Sequence, residues 1–364
     1  MRYLLGDGFH FVATEPIHPG RSSMGYADIN EAYPFVVRSY RDATSHCEAM
    51  RLGFESDVVI TGSAPEQFIL KRTTENKLTF RYSERVFKKG RWEILNPRLL
   101  RQLLWYHRRF KNKSLYMLCA SAYTAGDFAV VGAYKEKTYK WGYFPEVREY
   151  DLALLMRGKK GTRLSLLWAG RFEGWKHPEK ALYVAKYLKE CHIEFSLRII
   201  GGGDMDKRLK SMTKSLDLED CVEFLGYMSP DDVRYEMERA EIYLFTSDRN
   251  EGWGAVLNEA MNSGCAVVAS YAIGAVPYLL KDNVNGMVYR NDSTDDLCEK
   301  VLMLAKNPEM MTRLGSHACN SIAEGWSAKI AATRLIALAE CLFSGRDAAS
   351  LFLSGPCSAA PTLF

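Results

Sequence analysis

TSDRNEGWGAVLNEAMNSGCAVVAS, residues 246–270, lies between two short apolar runs, Ile242–Phe245 before it and Cys265–Ala269 at its end. Between these runs the spacing predicts one helix, opened by a glycine-containing turn and closed near Gly264. Strand, turn, helix and strand make a βαβ unit, and the N-terminus of its helix offers free backbone N–H groups and a positive dipole end to an anion. Two carboxylates flank that end, Glu251 in the turn and Glu259 inside the helix, eight positions apart. An anion site with a carboxylate on either side suits a ligand carrying hydroxyls at both ends of a phosphate group, as a nucleotide sugar does.

Working outward, the second half of the chain repeats the same alternation. Strands are expected at Leu164–Trp168, Phe195–Ile200, Val222–Leu225, Ile242–Phe245, Ala266–Ala269 and Gly286–Tyr289. Helices are expected at Pro178–Lys189, Met205–Leu216, Pro230–Arg239, Val256–Ser263 and Thr294–Ala305. Short strands joined mostly by helices define a doubly wound α/β domain. The first half alternates too, with strands at Phe9–Ala13, Phe35–Arg38, Asp57–Thr61, Thr79–Tyr82 and Leu115–Cys119. Helical patterns fall at Ser45–Leu52, Pro65–Arg72 and Pro97–Phe110. A parallel sheet covered by helices follows from such alternation.

The expected fold class is therefore α/β, with two Rossmann-like domains facing across a cleft. Residues 1–150 form the first domain, 151–343 the second together with a closing helix, and 344–364 a loosely ordered tail. The polar stretch between 145 and 162 is read as the boundary. A doubly wound domain usually opens with a strand, a glycine turn and a helix. Here Met1–Leu5 reads as the tail of a helix followed at once by a strand, so the first strand and about 20 residues of the usual opening are expected to be missing upstream.

Composition excludes several classes. No apolar run reaches the ~20 residues that span a bilayer, and Gly6, Asp7, Gly8 and His10 break any signal-peptide pattern. The nine cysteines lack a CxxC pair and read as small buried hydrophobes in a reducing cytoplasm. The net charge of +4 is uneven: residues 1–150 carry 23 Lys and Arg against 16 Asp and Glu, leaving 25 against 28 for the rest. Ten basic residues and one acid, Glu93, fall within 85–113, interleaved with Phe87, Trp92, Trp105, Tyr106 and Phe110. This segment fits an amphipathic helix packed on the sheet, and it also fits contact with an anionic membrane face. No nucleic-acid module accompanies it.

Two loops carry further candidate chemistry. In WAGRFEGWKHP, Arg171 and Lys176 stand five apart after the first strand of the second domain, where open α/β sheets bind ligands. A forked guanidinium and a compact ammonium suit a diphosphate. In RIIGGGDMD the glycines Gly201, Gly202 and Gly203 allow close approach of a ligand, without the GxGxxG spacing of a dinucleotide site. Asp204 and Asp206 spell DxD, but they read better as a cap and a first-turn acid of the following helix than as metal ligands. His177 stands beside Lys176.

In order, GRFEGWK, IIGGG, VEFLGYMS, the 246–270 stretch and IGAVPYLLKDNVNGMVY closely resemble glycosyltransferase family 4, retaining enzymes with the two-domain GT-B fold. The likeness is specific from about 162 to 343; VVITGSAPEQF, FRYSERVFKKG and LCASAYTAGDF resemble exopolysaccharide-type members more loosely. The resemblance implies transfer of a sugar from a UDP- or GDP-sugar to a saccharide or lipid-linked saccharide acceptor, at or near the inner membrane face. It implies that Glu259 binds the ribose of the donor, and that Glu251 and the N–H groups of Gly252, Trp253 and Gly254 meet its sugar. Arg171 and Lys176 would neutralise the diphosphate, with Gly202 and Gly203 close by and the base against Gly226, Tyr227 and Met228. No metal or other cofactor is expected, and no nucleic acid partner. The chain departs from the pattern at Tyr278, where members often carry Glu. Another activity on the same fold, such as a phosphorylase or epimerase, stays open, as does a binding protein without turnover.

Overall fold

The computed structural model describes residues 1–18, 28–290 and 293–364, and these divide into two compact units. One comprises Met1–Trp141 with Lys329–Phe364, the other Gly142–Ala328.

In the first unit β1 (Phe11–Ala13) and β2 (Val36–Arg38) pair in parallel as a two-stranded ribbon. A separate parallel sheet takes β3 (Val59–Thr61), β4 (Thr79–Ser83), β5 (Leu115–Cys119) and β6 (Thr138–Lys140) in sequential order. Helix α1 (Ala43–Glu55) starts where the Asp42 carboxylate accepts the Ser45 N–H at 2.7 Å, and α2 (Pro97–Tyr106) where Asn96 accepts from Arg98. One face of the four-stranded sheet buries Leu115 and Met117 against Phe87, Leu103, Phe110 and Phe128. The other buries Phe80, Leu118 and Tyr139 against Leu335 and Leu338 of the helix Ala328–Phe343.

That last helix and the residues after it therefore belong with the first unit, where the sequence reading placed 151–343 in the second domain and 344–364 in a loose tail. Its leucines cover this apolar sheet face together with Ala348, Phe352 and Cys357. The residues beyond it run antiparallel along β6: Lys140 N–H donates to Ser358 O, Cys357 N–H to Lys140 O and Ala360 N–H to Thr138 O, at 2.8, 2.8 and 3.0 Å. Pairing of this kind removes an open sheet edge, and Cys357 is fully buried beneath it.

The second unit holds six parallel strands: β7 (Leu164–Ala169), β8 (Phe195–Ile200), β9 (Val222–Gly226), β10 (Ile242–Phe245), β11 (Ala266–Ser270) and β12 (Met287–Tyr289). They lie in the order β9-β8-β7-β10-β11-β12, the doubly wound arrangement whose direction reverses between its first and fourth strands. Strand residues alternate between two cores. Leu166, Trp168, Leu197, Ile199, Leu244 and Val268 face one; Leu167, Tyr243, Phe245, Val267 and Ala269 face the other. Both faces are covered, which is why these strands read as continuous apolar runs.

Eight α-helices complete this unit among the described residues: α3 (Leu152–Lys159), α4 (Glu179–Glu190), α5 (Asp206–Ser215), α6 (Pro230–Arg239), α7 (Val256–Asn262), the short Val276–Leu279, α8 (Thr294–Ala305) and α9 (Pro308–Gly325), the last packed against α7. The sequence reading left 145–162 irregular, yet α3 forms there. Asp151 caps it by accepting the Leu154 N–H at 3.0 Å. Lys159 ends buried, its Nζ donating to Met237 O and Ala240 O at 2.8 and 2.7 Å. These are carbonyls at the end of α6, so a buried cation completes that terminus. Asp204 does not cap α5: the N-cap is Met205, without a side-chain bond, while Asp206 pairs with Lys210 at 2.9 Å in the first turn.

Candidate donor site at the sheet switch point

The switch between β7 and β10 brings two loops together. Trp168 Nε1, near the end of β7, donates to Thr246 Oγ1 at 2.8 Å, and Thr246 Oγ1 donates to Lys176 O at 2.7 Å. Asp248 N–H donates to Trp175 O at 2.9 Å. His177, with left-handed backbone (φ 48°), bridges Glu179 through Nδ1 at 3.0 Å and Asp248 through Nε2 at 3.3 Å. These two carboxylates raise the His177 pKa to about 9, Asp248 contributing most. His177 is thus a clasp between the loops and leaves neither ring nitrogen free.

The clasped loops present Lys176 and Glu251 to each other. Lys176 Nζ lies 2.6 Å from Glu251 Oε2, both side chains mostly buried, and Ser247 Oγ donates to the same oxygen at 3.0 Å. The Trp175 ring sits 4.3 Å from the ammonium. Arg171 is elsewhere: its guanidinium pairs with Glu173 at 2.8 Å and is about half exposed. The two cations expected side by side are therefore held by separate carboxylates.

Gly252, Trp253 and Gly254 follow in the turn. None donates its backbone N–H to a carbonyl among the described residues. Gly254 has φ +85°, and a Cβ there would lie 2.4 Å from the Phe245 ring. The Trp253 side chain is fully buried, donating from Nε1 to Asn258 Oδ1 at 2.9 Å and packing against Trp326, Tyr278 and Tyr143. It anchors the turn from below. Tyr278, at the position that departs from the family pattern, joins this cluster and stacks on Trp326 at 6.0 Å and 17°.

Glu259 lies on α7, directly after the cluster's Asn258. Its carboxylate has no hydrogen-bond or ion-pair partner among the described residues. Burial raises its pKa, opposed by the nearby charges of Arg234 and Arg148. These arginines were not singled out in the sequence. Arg234 is buried on α6 and donates from Nη2 to Asn262 Oδ1 at 2.6 Å and Tyr150 Oη at 3.1 Å. Arg148 reaches Glu238 at 3.0 Å and Asp231 at 2.5 Å, and its N–H donates to Asn262 Oδ1 at 2.9 Å. The pattern that would have pointed to them is Asn262, three positions after Glu259 on the same helix face.

Tyr227, after β9, is 70% exposed and covers Gly202, where a Cβ would lie 2.7 Å from its ring. Gly201 N–H donates to Gly226 O at 2.8 Å, joining the loops after β8 and β9. Met228 packs against the core that holds Trp253. Gly203, with φ 149°, packs against the Phe172 backbone. Three glycine or aromatic elements thus edge the carboxyl ends of the strands. An open α/β sheet binds its ligand there, beside the switch point.

With this geometry in hand, residues 157–320 match the family model of glycosyl transferases group 1. The described fold, two α/β units with parallel sheets, is that of the GT-B glycosyltransferases: a crystal structure of HepE from Anabaena in complex with UDP superposes with a TM-score of 0.63 at 18% identity, over 83% of this chain and 82% of that one. Among curated relatives, an uncharacterized glycosyltransferase of Haemophilus influenzae is 27% identical over 225 residues, 59% of this chain and 63% of its own length. The amylovoran biosynthesis glycosyltransferase AmsK of Erwinia amylovora is 29% identical over 218 residues, 58% of this chain and 49% of its own. The matches thus span less than two thirds of either relative.

Proposed function

We propose that the chain is a retaining glycosyltransferase that moves a sugar from a nucleoside-diphosphate sugar to a saccharide or lipid-linked saccharide acceptor in cell-surface polysaccharide synthesis. The observation that carries this reading is Glu259, a largely buried carboxylate without a partner, one helix away from the Lys176–Glu251 pair at the switch point. Its oxygens are not sealed from solvent, so they stay open to a ligand. A ligand that donates two hydroxyl hydrogens to Glu259 replaces water there with charge-assisted hydrogen bonds, and the ribose of a nucleotide does so.

In this reading the free N–H groups of Gly252, Trp253 and Gly254 face the donor sugar together with Glu251. Lys176 turns to the diphosphate, and Arg171 joins it from its exposed loop. Charge grows on the diphosphate as its bond to the anomeric carbon breaks, and preorganised donors act most strongly on charge that develops in the transition state. In a retaining reaction the acceptor enters on the face that the diphosphate leaves, and a leaving phosphate oxygen takes its proton, so no protein nucleophile is assigned. The lysine, the arginine and the turn N–H groups supply the positive field without a metal. Tyr227, exposed above Gly202, offers its ring to the base. The UDP in the HepE structure favours a uridine nucleotide as the first to try, and AmsK, named for amylovoran biosynthesis, favours a polysaccharide product.

The test is thermal stabilisation by UDP, GDP and their sugars, followed by release of UDP or GDP with a saccharide acceptor. A midpoint shift of several degrees with one nucleotide and not the others is expected. No shift with any of them at millimolar concentration removes the reading.

A further inference from the structure

We infer that the face formed by α2 and the segment before it docks the chain on an anionic phospholipid bilayer. Helix α2 has two apolar stripes. Leu99, Leu100 and Leu103 face inward onto Phe87, Phe110 and Phe128. Pro97, Leu104 and Trp105 stand beside that stripe, where with Leu100, Arg101 and Arg109 they line a shallow groove of about 430 Å³. A single-sided surface helix needs only the first stripe.

The outer stripe is continued by its neighbours. Trp92 is 63% exposed, Leu95 79%, Leu104 39% and Trp105 55%. Leu104 and Trp105 share one groove, and large apolar side chains exposed side by side mark an interaction surface rather than the scattered exposure ordinary for a monomer. Around them Lys89, Arg91, Arg98, Arg101, Arg108, Arg109 and Lys111 are all exposed. The one acid of the segment, Glu93, is occupied by the Lys89 N–H at 2.8 Å. Arg98, Arg101, Arg109 and Lys111 have no acidic partner among the described residues. Arg109 instead lies 4.6 Å from the centre of the Trp105 ring.

The chemistry of the exposed tips chooses the occupant. Basic residues alone would suit any polyanion. Nucleic acid rewards flat rings that stack on bases, and it gains nothing from Leu95 and Leu104, the first of which is the most exposed of the four. A bilayer interface takes all of them: leucines enter the acyl boundary, tryptophans sit at the headgroup level, and arginines reach the phosphates. Each attraction is local and screened by salt. The surface lies wholly in the first unit, so the inference is independent of the donor chemistry proposed above.

The experiment is co-sedimentation of the full chain with phosphatidylcholine vesicles, with and without 30% phosphatidylglycerol, free of any donor or acceptor. Binding at least tenfold stronger to the anionic vesicles in 0.1 M salt, and largely lost in 0.5 M, is expected. R101E/R109E should weaken it at least tenfold, and L104S/W105S at least fivefold, with unchanged circular dichroism. Bromine-labelled lipid should quench tryptophan fluorescence of the wild type, and less so that of W105F. The inference is overturned by equal binding to the two kinds of vesicle, by variants that bind as the wild type does, or by absence of quenching. Tight salt-sensitive binding to a single-stranded oligonucleotide, unaffected by L104S/W105S and without vesicle binding, would overturn it in favour of nucleic acid.

Discussion

Lys176 Nζ and Glu251 Oε2 lie 2.6 Å apart across the loops that follow β7 and β10. Each side chain is mostly withdrawn from water, so each satisfies a charge that would otherwise be costly to bury. In the proposed function these are the two groups assigned to the donor sugar and its diphosphate.

Lys176→Met leaves Glu251 with only Ser247 as a donor. Stability should fall by about 1–3 kcal/mol, less than a fully buried broken pair because water reaches the site. Glu251→Gln should cost less, since an amide still accepts from Lys176. Both should lower turnover at least 100-fold, the scale of removing a positioned electrostatic group. The double variant should be more stable than the sum of the single losses predicts. Differential scanning calorimetry reads the first statements and nucleotide release the turnover; additive losses would show that the two groups act separately.

Glu259→Gln separates binding from folding. The wild-type carboxylate is raised above its ordinary pKa by burial. A raised acid binds more protons folded than unfolded, so its contribution to stability declines as pH rises through that range. The glutamine variant has no such penalty, and without ligand it should be as stable as the wild type or more so at pH 7. Nucleotide affinity should nevertheless drop about tenfold, the loss of one hydrogen bond to a charged group. Equal affinity by isothermal titration would remove Glu259 from the donor site.

The His177 clasp predicts a pH limit on the alkaline side. Its pKa is raised to about 9, first by Asp248 and then by Glu179. The stabilisation is fully present below the unfolded value of about 6.5 and is lost as pH rises through 9. Solvent reaches part of the ring, so the loss is about 1–2 kcal/mol, or roughly 2–8 °C in midpoint for a domain of this size. The partner carboxylates are held low, burial on each being outweighed only by the His177 bond, the other hydrogen bonds and the His177 charge together, so their share disappears only toward acid. His177→Gln should flatten the midpoint between pH 7 and 10; an unchanged decline would locate it elsewhere.

The backbone of the EGWG turn can be tested at one glycine. Gly254 combines φ +85° with a site where a Cβ would meet the Phe245 ring at 2.4 Å. Gly254→Ala should cost about 1–3 kcal/mol from strain and overpacking and also weaken donor-sugar binding, because the N–H groups before it would turn away. Affinity for the free nucleoside diphosphate should change little. A variant that loses stability alone would leave the turn with a structural role.

Part of this candidate arrangement was legible in advance. Glu251, Lys176 and Glu259 could be picked out because each follows a strand at a turn or helix start, and the strand pattern of the second unit is continuous and apolar. The six strands fall within two residues of where that pattern put them. What stayed hidden depended on contacts distant in sequence. Glycines at 158 and 161 mask α3, whose stability comes from packing and from Lys159 on two carbonyls of α6. The helix Ala328–Phe343 reads as apolar on any sheet; only the uncovered face of β4 and β5 assigns it to the first unit. The Lys176–Glu251 pairing spans 75 residues, and no local period announces it.

Arg234 carries the last prediction because it was invisible in the sequence and lies closest in effect to Glu259. It is buried, with two hydrogen bonds from Nη2 to Asn262 and Tyr150 and a buried Nε without a partner. Together with Arg148 it opposes the burial that raises the Glu259 pKa. Arg234→Gln removes that charge while keeping a donor for Asn262. The Glu259 pKa should rise further, and the pH below which nucleotide binding weakens should rise with it. Arg234→Lys should restore the profile, whereas a purely structural arginine would lower stability without moving it. Titrations of nucleotide affinity from pH 5 to 8 on folded variants decide between these, and superimposable profiles would detach Arg234 from the donor site.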